Sequence, residues 1–228
     1  MPLLTVECFP AEGIGPPQPP AGNARLKGGA ICSAHPEVLM DILRPEMNLA
    51  IWDRRMPASL NRYLSRLASQ APFSVVVEDR IDRALQVLAD RIPAGVVPDF
   101  MIDIRLLASA FATIAYTGGI VRVRLEAVTD QTCPRWHADA VGFRLLCTYR
   151  GSGTEWLPMA GGAAVARRLD SAALPCPPLR LATGAVAILK GEKHPDGEGS
   201  GCIHRSPAAG QARLLLCLDE PDQFPSDT

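Results

Sequence analysis

The chain has 228 residues, 23 Lys plus Arg against 24 Asp plus Glu, and a formal net charge of −1. With 47% of residues hydrophobic and 21% charged, a real core can form and global disorder is excluded. Balanced charge and an aromatic content of only 5% argue against nucleic acid as the main partner. Residues 10–20 read PAEGIGPPQPP, and five prolines in that stretch forbid regular structure. Residues 1–30 are therefore expected to form an extended arm, followed by a single α+β domain over 31–228.

From His35 to Tyr116 the periodicity is mainly helical. Leu60, Leu64, Leu67 and Ala68 fall on one face, and so do Ile81, Leu85, Leu88 and Ile92. Between them, Phe73 to Val77 is a short β-branched run that reads as a strand. Pro98 opens the longest apolar stretch, Phe100 to Tyr116. It carries Asp103 and Arg105, so a buried core helix is expected and not a membrane span. The helical front thus covers 31–118. After it the period changes to two: Val121, Val123, Leu125 and Ala127 alternate with Arg122, Arg124 and Glu126. Phe143 to Tyr149, Gly184 to Lys190 and Ala212 to Leu218 are further strands between Gly- and Pro-rich turns. This predicts a jelly-roll or cupin-like β-core over 119–219, buttressed by the preceding helices. Seven cysteines without a repeating spacing, and no leader sequence, point to a reducing cytoplasm and mostly free thiols.

The chemistry concentrates in a few residues. His137 and Asp139 stand at i and i+2 in Trp136-His137-Ala138-Asp139, which in extended backbone places both on one face. His204 opens the polar turn His204-Arg205-Ser206-Pro207 before the last strand. Two imidazoles and one carboxylate on one face of an octahedron leave positions open for a cosubstrate and O₂, which suits Fe(II). Arg213 lies nine residues beyond His204, where a guanidinium can pair with a carboxylate in two-pronged fashion.

With this His-x-Asp…His…Arg order, residues 120–219 resemble the Fe(II)/2-oxoglutarate-dependent dioxygenase superfamily. The resemblance implies a double-stranded β-helix and an oxygenase of the hydroxylase type. By it, His137, Asp139 and His204 hold iron, and Arg213 binds the distal carboxylate of 2-oxoglutarate. Tyr149, Arg144 and Lys190 are other candidate anchors. The superfamily usually places Ser or Thr two residues after the arginine, and here that position is Leu215. Most of the chain is more closely similar to a bacterial family catalogued only as a domain of unknown function. The runs that carry this are Trp136 to Asp139, Arg144 to Gly151, Gly153 to Pro158, Lys190 to Glu192, and His204 to Pro207.

Two other readings stay open. Cys133, His137, Cys202 and His204 are the soft donor set that zinc prefers, which would make a non-catalytic zinc-binding or metal-homeostasis protein. A cupin-like enzyme could also use the metal without 2-oxoglutarate. Period two places Arg213 on one face with Leu215 and Cys217, opposite Leu214, Leu216 and Leu218. A salt bridge from Arg213 to Asp103 or Glu155 is the plain alternative to a ligand role. Residues 191–201 form a polar loop, at most a lid over the site. The substrate is not legible.

Overall fold

The computed structural model describes residues 4–5, 24–93, 95–169, 174–196, 199–208, 210 and 212–221. The proline-rich run 10–20 and most of the expected arm lie outside them. The strands are β1 Leu4–Thr5, β2 Ala24–Leu26, β3 Ala30–Ser33, β4 Leu49–Trp52, β5 Phe73–Arg80, β6 Ile120–Val128, β7 Phe143–Arg150, β8 Glu155–Trp156, β9 Leu179–Arg180, β10 Val186–Lys190, β11 His204–Arg205 and β12 Arg213–Asp219. The α-helices are α1 Asn61–Ala68, α2 Ile81–Arg91, α3 Pro98–Ile114 and α4 Gly162–Ala166, with 3₁₀ turns at Pro36–Leu43 and Ala58–Leu60.

Two sheets result. The larger has the order β2-β3-β4-β10-β7-β12-β6-β5, and the smaller β1-β9-β8-β11. His137 pairs antiparallel with His204 and so extends the smaller sheet past β11. From β6 onward the chain alternates between the sheets. It passes from β6 to His137, back to β7, across to β8 and β9, back to β10, across to β11, and ends on β12. The order β6-β12-β7-β10 therefore faces the order His137-β11-β8-β9, every pairing being antiparallel. That alternation is a double-stranded β-helix, so the molecule is an α+β protein with a jelly-roll core.

The strand faces divide the apolar residues into two layers. Leu145, Cys147, Ile188, Leu214, Leu216 and Leu218 pack toward α1, α2 and α3 in the main core. Leu146, Trp156, Ala187, Leu189, Cys202, Leu215 and Cys217 fill the space between the sheets. The division on β12 is the one its alternation predicts. In α3, Phe100, Ile104, Leu107, Ala108 and Phe111 are buried at helical spacing against the larger sheet.

The helical front is less helical than its periodicity suggests. It also supplies β3, β4 and β5 to the larger sheet. Every residue of β3 is buried, and β4 is nearly so, which removes the alternation that betrays a half-buried strand. β5 runs on through Glu78, Asp79 and Arg80, because it is the outer strand and its far side need not be apolar.

A network of paired polar side chains crosses the main core. Arg54 binds Asp103 through both terminal nitrogens, one at 2.9 Å, and its Nε donates to the Gly184 carbonyl at 3.1 Å. The Tyr149 hydroxyl donates to the same Asp103 carboxylate at 2.7 Å. No helix among the described residues is long and apolar enough to cross a membrane. Arg54→Met should destabilise the protein by about 3–5 kcal/mol in urea unfolding, because Asp103 keeps a buried charge without its partner. Arg54→Met combined with Asp103→Leu should recover most of that loss.

Candidate metal centre

The backbone brings the site together before any side chain does. The His137 N–H donates to the His204 carbonyl at 3.0 Å, and the His204 N–H donates back at 2.8 Å. Paired this way, the two imidazoles lie side by side with centroids 4.4 Å apart. Each ring is then turned by its own chain: His137 Nδ1 lies 3.0 Å from the Arg135 carbonyl and His204 Nδ1 3.1 Å from the Cys202 carbonyl. A carbonyl only accepts, so each Nδ1 carries a proton and each Nε2 is the atom left to face the site.

Both Nε2 atoms turn toward Asp139. His137 Nε2 is 3.6 Å from Oδ1, and His204 Nε2 is 3.3 Å from Oδ2. One ligand atom from each residue falls within 4.8 Å of the others. Asp139 Oδ2 is buried and makes no hydrogen bond. Burial alone would raise the Asp139 pKa, but His204, His137 and Arg144 outweigh it and hold the carboxyl far below its usual range. Asp139 in turn raises the His137 pKa against the effect of burial. A buried carboxylate oxygen without a hydrogen-bond partner, facing the Nε2 atoms of two imidazoles, is a donor set that fits a divalent cation.

The Asp139 turn is held from two sides. Arg144, at the start of β7, donates Nη1 to Asp139 Oδ1 at 2.6 Å. Its Nε and Nη2 bind Asp219, at the end of β12, at 2.6 and 2.9 Å. Behind the turn, the N–H groups of Gly191, Glu192 and Lys193 donate to the carbonyls of Gly142, Asp139 and Val141 at 2.8, 2.8 and 3.0 Å. A Cβ on Gly191 would lie 2.3 Å from the Val141 oxygen, so only glycine permits this approach. The first part of the polar loop is thus a brace behind the Asp139 turn.

The candidate anchors separate. Tyr149 points away from the space between the sheets, because on β7 it shares its face with Leu145 and Cys147 and sits in the main core. Arg144 faces inward, but two carboxylates already occupy its guanidinium. Lys190 faces the first 3₁₀ turn and donates to the Arg44 carbonyl at 2.7 Å. Arg213 alone fits an anion. It is 6% exposed, and its Nη2 donates to the hydroxyls of Thr154 at 2.6 Å and Thr148 at 3.3 Å. Its Nε has no partner, and no carboxylate lies within ion-pair distance among the described residues. Burial pushes the guanidinium down to about 10. Neither acid offered as a plain partner reaches it: Asp103 binds Arg54, and buried Glu155 binds Arg180 and Arg205, each at 2.8 Å.

The cysteine-rich zinc set does not form. Among the described residues, His137, Asp139 and His204 are the group whose ligand atoms converge, and no thiol joins them. Cys133 is exposed, and Cys202 packs between the sheets, where burial pushes its thiol well above its ordinary pKa. Five cysteines, Cys133, Cys147, Cys176, Cys202 and Cys217, are free thiols. Trp156 also lies between the sheets, and Trp136 packs with Leu157, Ala166 and Ile203 under the Arg205 guanidinium. Sequence reasoning missed Asp219, Thr148 and Thr154. The available signal was their place on inward-facing positions of β7 and β12 or just before β8.

No curated protein matches the chain in sequence. Several solved structures do so in shape. A dioxygenase for auxin oxidation from rice is 9% identical, with 79% of this chain and 77% of that one covered at a TM-score of 0.47. A BsmA homologue from Methylobium petroleophilum is 13% identical over 84% and 95% of the two chains, at 0.46. A prolyl-4-hydroxylase from Pseudomonas putida is 12% identical over 80% and 97%, at 0.43. The strand pairing gives the two-sheet topology independently of these likenesses. In sequence, residues 33–219 match the family described as "Protein of unknown function (DUF1826)", and the chain belongs to that family.

Proposed function

We propose that the protein is a mononuclear non-haem Fe(II), 2-oxoglutarate-dependent oxygenase. The observation that carries this reading is the convergence of His137, Asp139 and His204 on one point, with an orphaned carboxylate oxygen at its centre. His137 and His204 would hold the metal through Nε2, and Asp139 through the oxygen that lacks a donor. Once bound with a 2-oxo acid, Fe(II) supplies O₂-dependent oxidation of a substrate C–H bond. The protein's own part is to fix geometry. Arg144 holds the Asp139 carboxylate ionised and oriented, and the carbonyls of Arg135 and Cys202 anchor both rings by Nδ1 so that each Nε2 turns toward Asp139. Arg213 supports the choice of cosubstrate: a buried guanidinium bonded only to hydroxyls favours an incoming carboxylate, here the distal one of 2-oxoglutarate.

Under nitrogen the protein should bind one Fe(II) per chain. His137→Ala, His204→Ala or Asp139→Ala should each reduce binding by orders of magnitude, whereas Cys133→Ser with Cys202→Ser should leave affinity within a few-fold. Metal analysis of the same set decides between iron and a zinc protein: loss of metal in the cysteine variant and its retention in Asp139→Ala would establish the zinc reading. Arg213→Leu should weaken 2-oxoglutarate binding by about 2–5 kcal/mol, the cost of truncating one side of a buried charge pair. Metal content should be unchanged, and titration calorimetry on the Fe(II)-loaded protein reads the difference. Release of succinate coupled to O₂ uptake tests the activity itself.

A further inference from the structure

Resting on the oxygenase reading, we propose that Arg124 is the substrate-binding cation of this site, and that the substrate carries a carboxylate or phosphate group that docks on β6. Arg124 alternates along β6 with Val123 and Leu125, which pack in the main core toward the helices, so its own side chain lies on the opposite face. Its register partner on β12 is Cys217, and Cys217 pairs in turn with Leu146 on β7. Both of these fill the space between the sheets, and Arg124 continues their row to the flank of the jelly roll. The neighbouring row on the same face is Arg122, Asp219 and Arg144, and Arg144 binds Asp139. Arg124 therefore stands one row from the ion pair that holds the candidate metal centre.

That flank is open. β6 faces His137, and among the described residues His137 pairs with β11 on one side and with no strand on the other. The larger sheet runs on past it to β5, where Val76, the register partner of Arg124, is 42% exposed. Side-chain exposure follows the same gradient: 37% at Arg124 and 33% at His137, against 10% at Asp139 and 6% at His204. A ligand bound for the metal enters over β6. Arg124 also has an unused donor there, since its Nε is buried and makes no hydrogen bond. Glu126 Oε2, 3.8 Å away, attracts the guanidinium but is too far to accept from it. The neighbouring arginines are engaged: Arg144 by Asp139 and Asp219, and Arg205 by Glu155. An oxyanion supplies what Arg124 lacks, charge to offset a half-buried cation and lone pairs for its fork of N–H donors. A neutral head would leave that cation uncompensated, and a cationic one would be repelled. Val76 gives the hydrocarbon part of such a ligand an apolar ledge beside the guanidinium.

The test uses probes that share a phenyl ring and differ in charge: phenylacetate, phenyl phosphate and the neutral phenylacetamide. Each is titrated calorimetrically into protein loaded with Fe(II) and 2-oxoglutarate under nitrogen, so that the Arg213 end is already filled. Wild type should bind one of the acids about tenfold or more tightly than the amide, and the acid that wins separates a carboxylate from a phosphate substrate. Arg124→Leu should bind acids and amide alike, whereas Arg124→Lys, which keeps the charge, should hold the preference within about threefold. Arg80→Leu removes the same charge from the exposed end of β5 and should leave the preference whole. A wild type without acid preference, or an Arg124→Leu protein that retains it, would overturn the proposal. An equal loss in Arg80→Leu would do the same, since it would show only the general charge of the surface at work. Should Arg124→Leu fail to fold, Arg124→Gln gives the same comparison. If wild type binds neither Fe(II) nor 2-oxoglutarate, the oxygenase reading falls and the substrate role with it. If both bind and only the acid preference is missing, the assignment of Arg124 alone is removed.

Discussion

Arg144 is the residue on which the site depends. Its planar guanidinium reaches Asp139, two residues after His137, and Asp219 at the end of β12. Three charges share one partly buried place, and two negative groups surround one positive one. The excess negative charge faces the Nε2 atoms of His137 and His204, which turn toward Asp139 at 3.6 and 3.3 Å. Without the guanidinium, two carboxylates would face each other at low dielectric, and the turn would have no reason to stay where the histidines meet it.

The space between the sheets is apolar in its middle and polar at its ends. Leu215, Cys217, Leu146 and Cys202 fill the centre. At one end stand Asp139, Arg144 and Asp219; at the other, Arg213 with Thr148 and Thr154. The two ends differ in how far they are satisfied. Arg144 uses its donors on carboxylates, whereas Arg213 meets only hydroxyls and leaves Nε unpaired. A buried cation in that state is costly to the fold, and such costs concentrate at functional sites. The smaller sheet can carry this because Glu155 ties β8 to both neighbours through Arg180 and Arg205.

The helices act on the site at a distance. They cover the outer face of the larger sheet, so that its strands can be buried on both sides. Asp103 on α3 gathers Arg54 and Tyr149, and Arg54 Nε reaches the turn before β10. This network fixes the sheet from the side opposite His137, Asp139 and His204. It also shows why a tyrosine on a core strand is a poor predictor of a ligand contact, since the face it occupies decides its partner.

Much was legible in the sequence by itself. Alternation over β6 and β12 gave the strands and the faces on which Arg213, Leu215 and Cys217 lie. The i, i+2 spacing of His137 and Asp139 placed them together, because extended backbone has a period of two. The apolar spacing of α2 and α3 gave the buttress. Tertiary structure alone decided the rest. β3 and β4, buried throughout, carry no alternation to read. Which of Arg144, Tyr149, Lys190 and Arg213 stays without an acid depends on Asp219, Asp103 and the Arg44 carbonyl, each supplied from a distant part of the chain. His204 meets His137 through a backbone pairing across 67 residues, and hydrogen bonds of that separation leave no local pattern. The same holds for Thr148 and Thr154, ordinary strand and turn residues until Arg213 is folded against them.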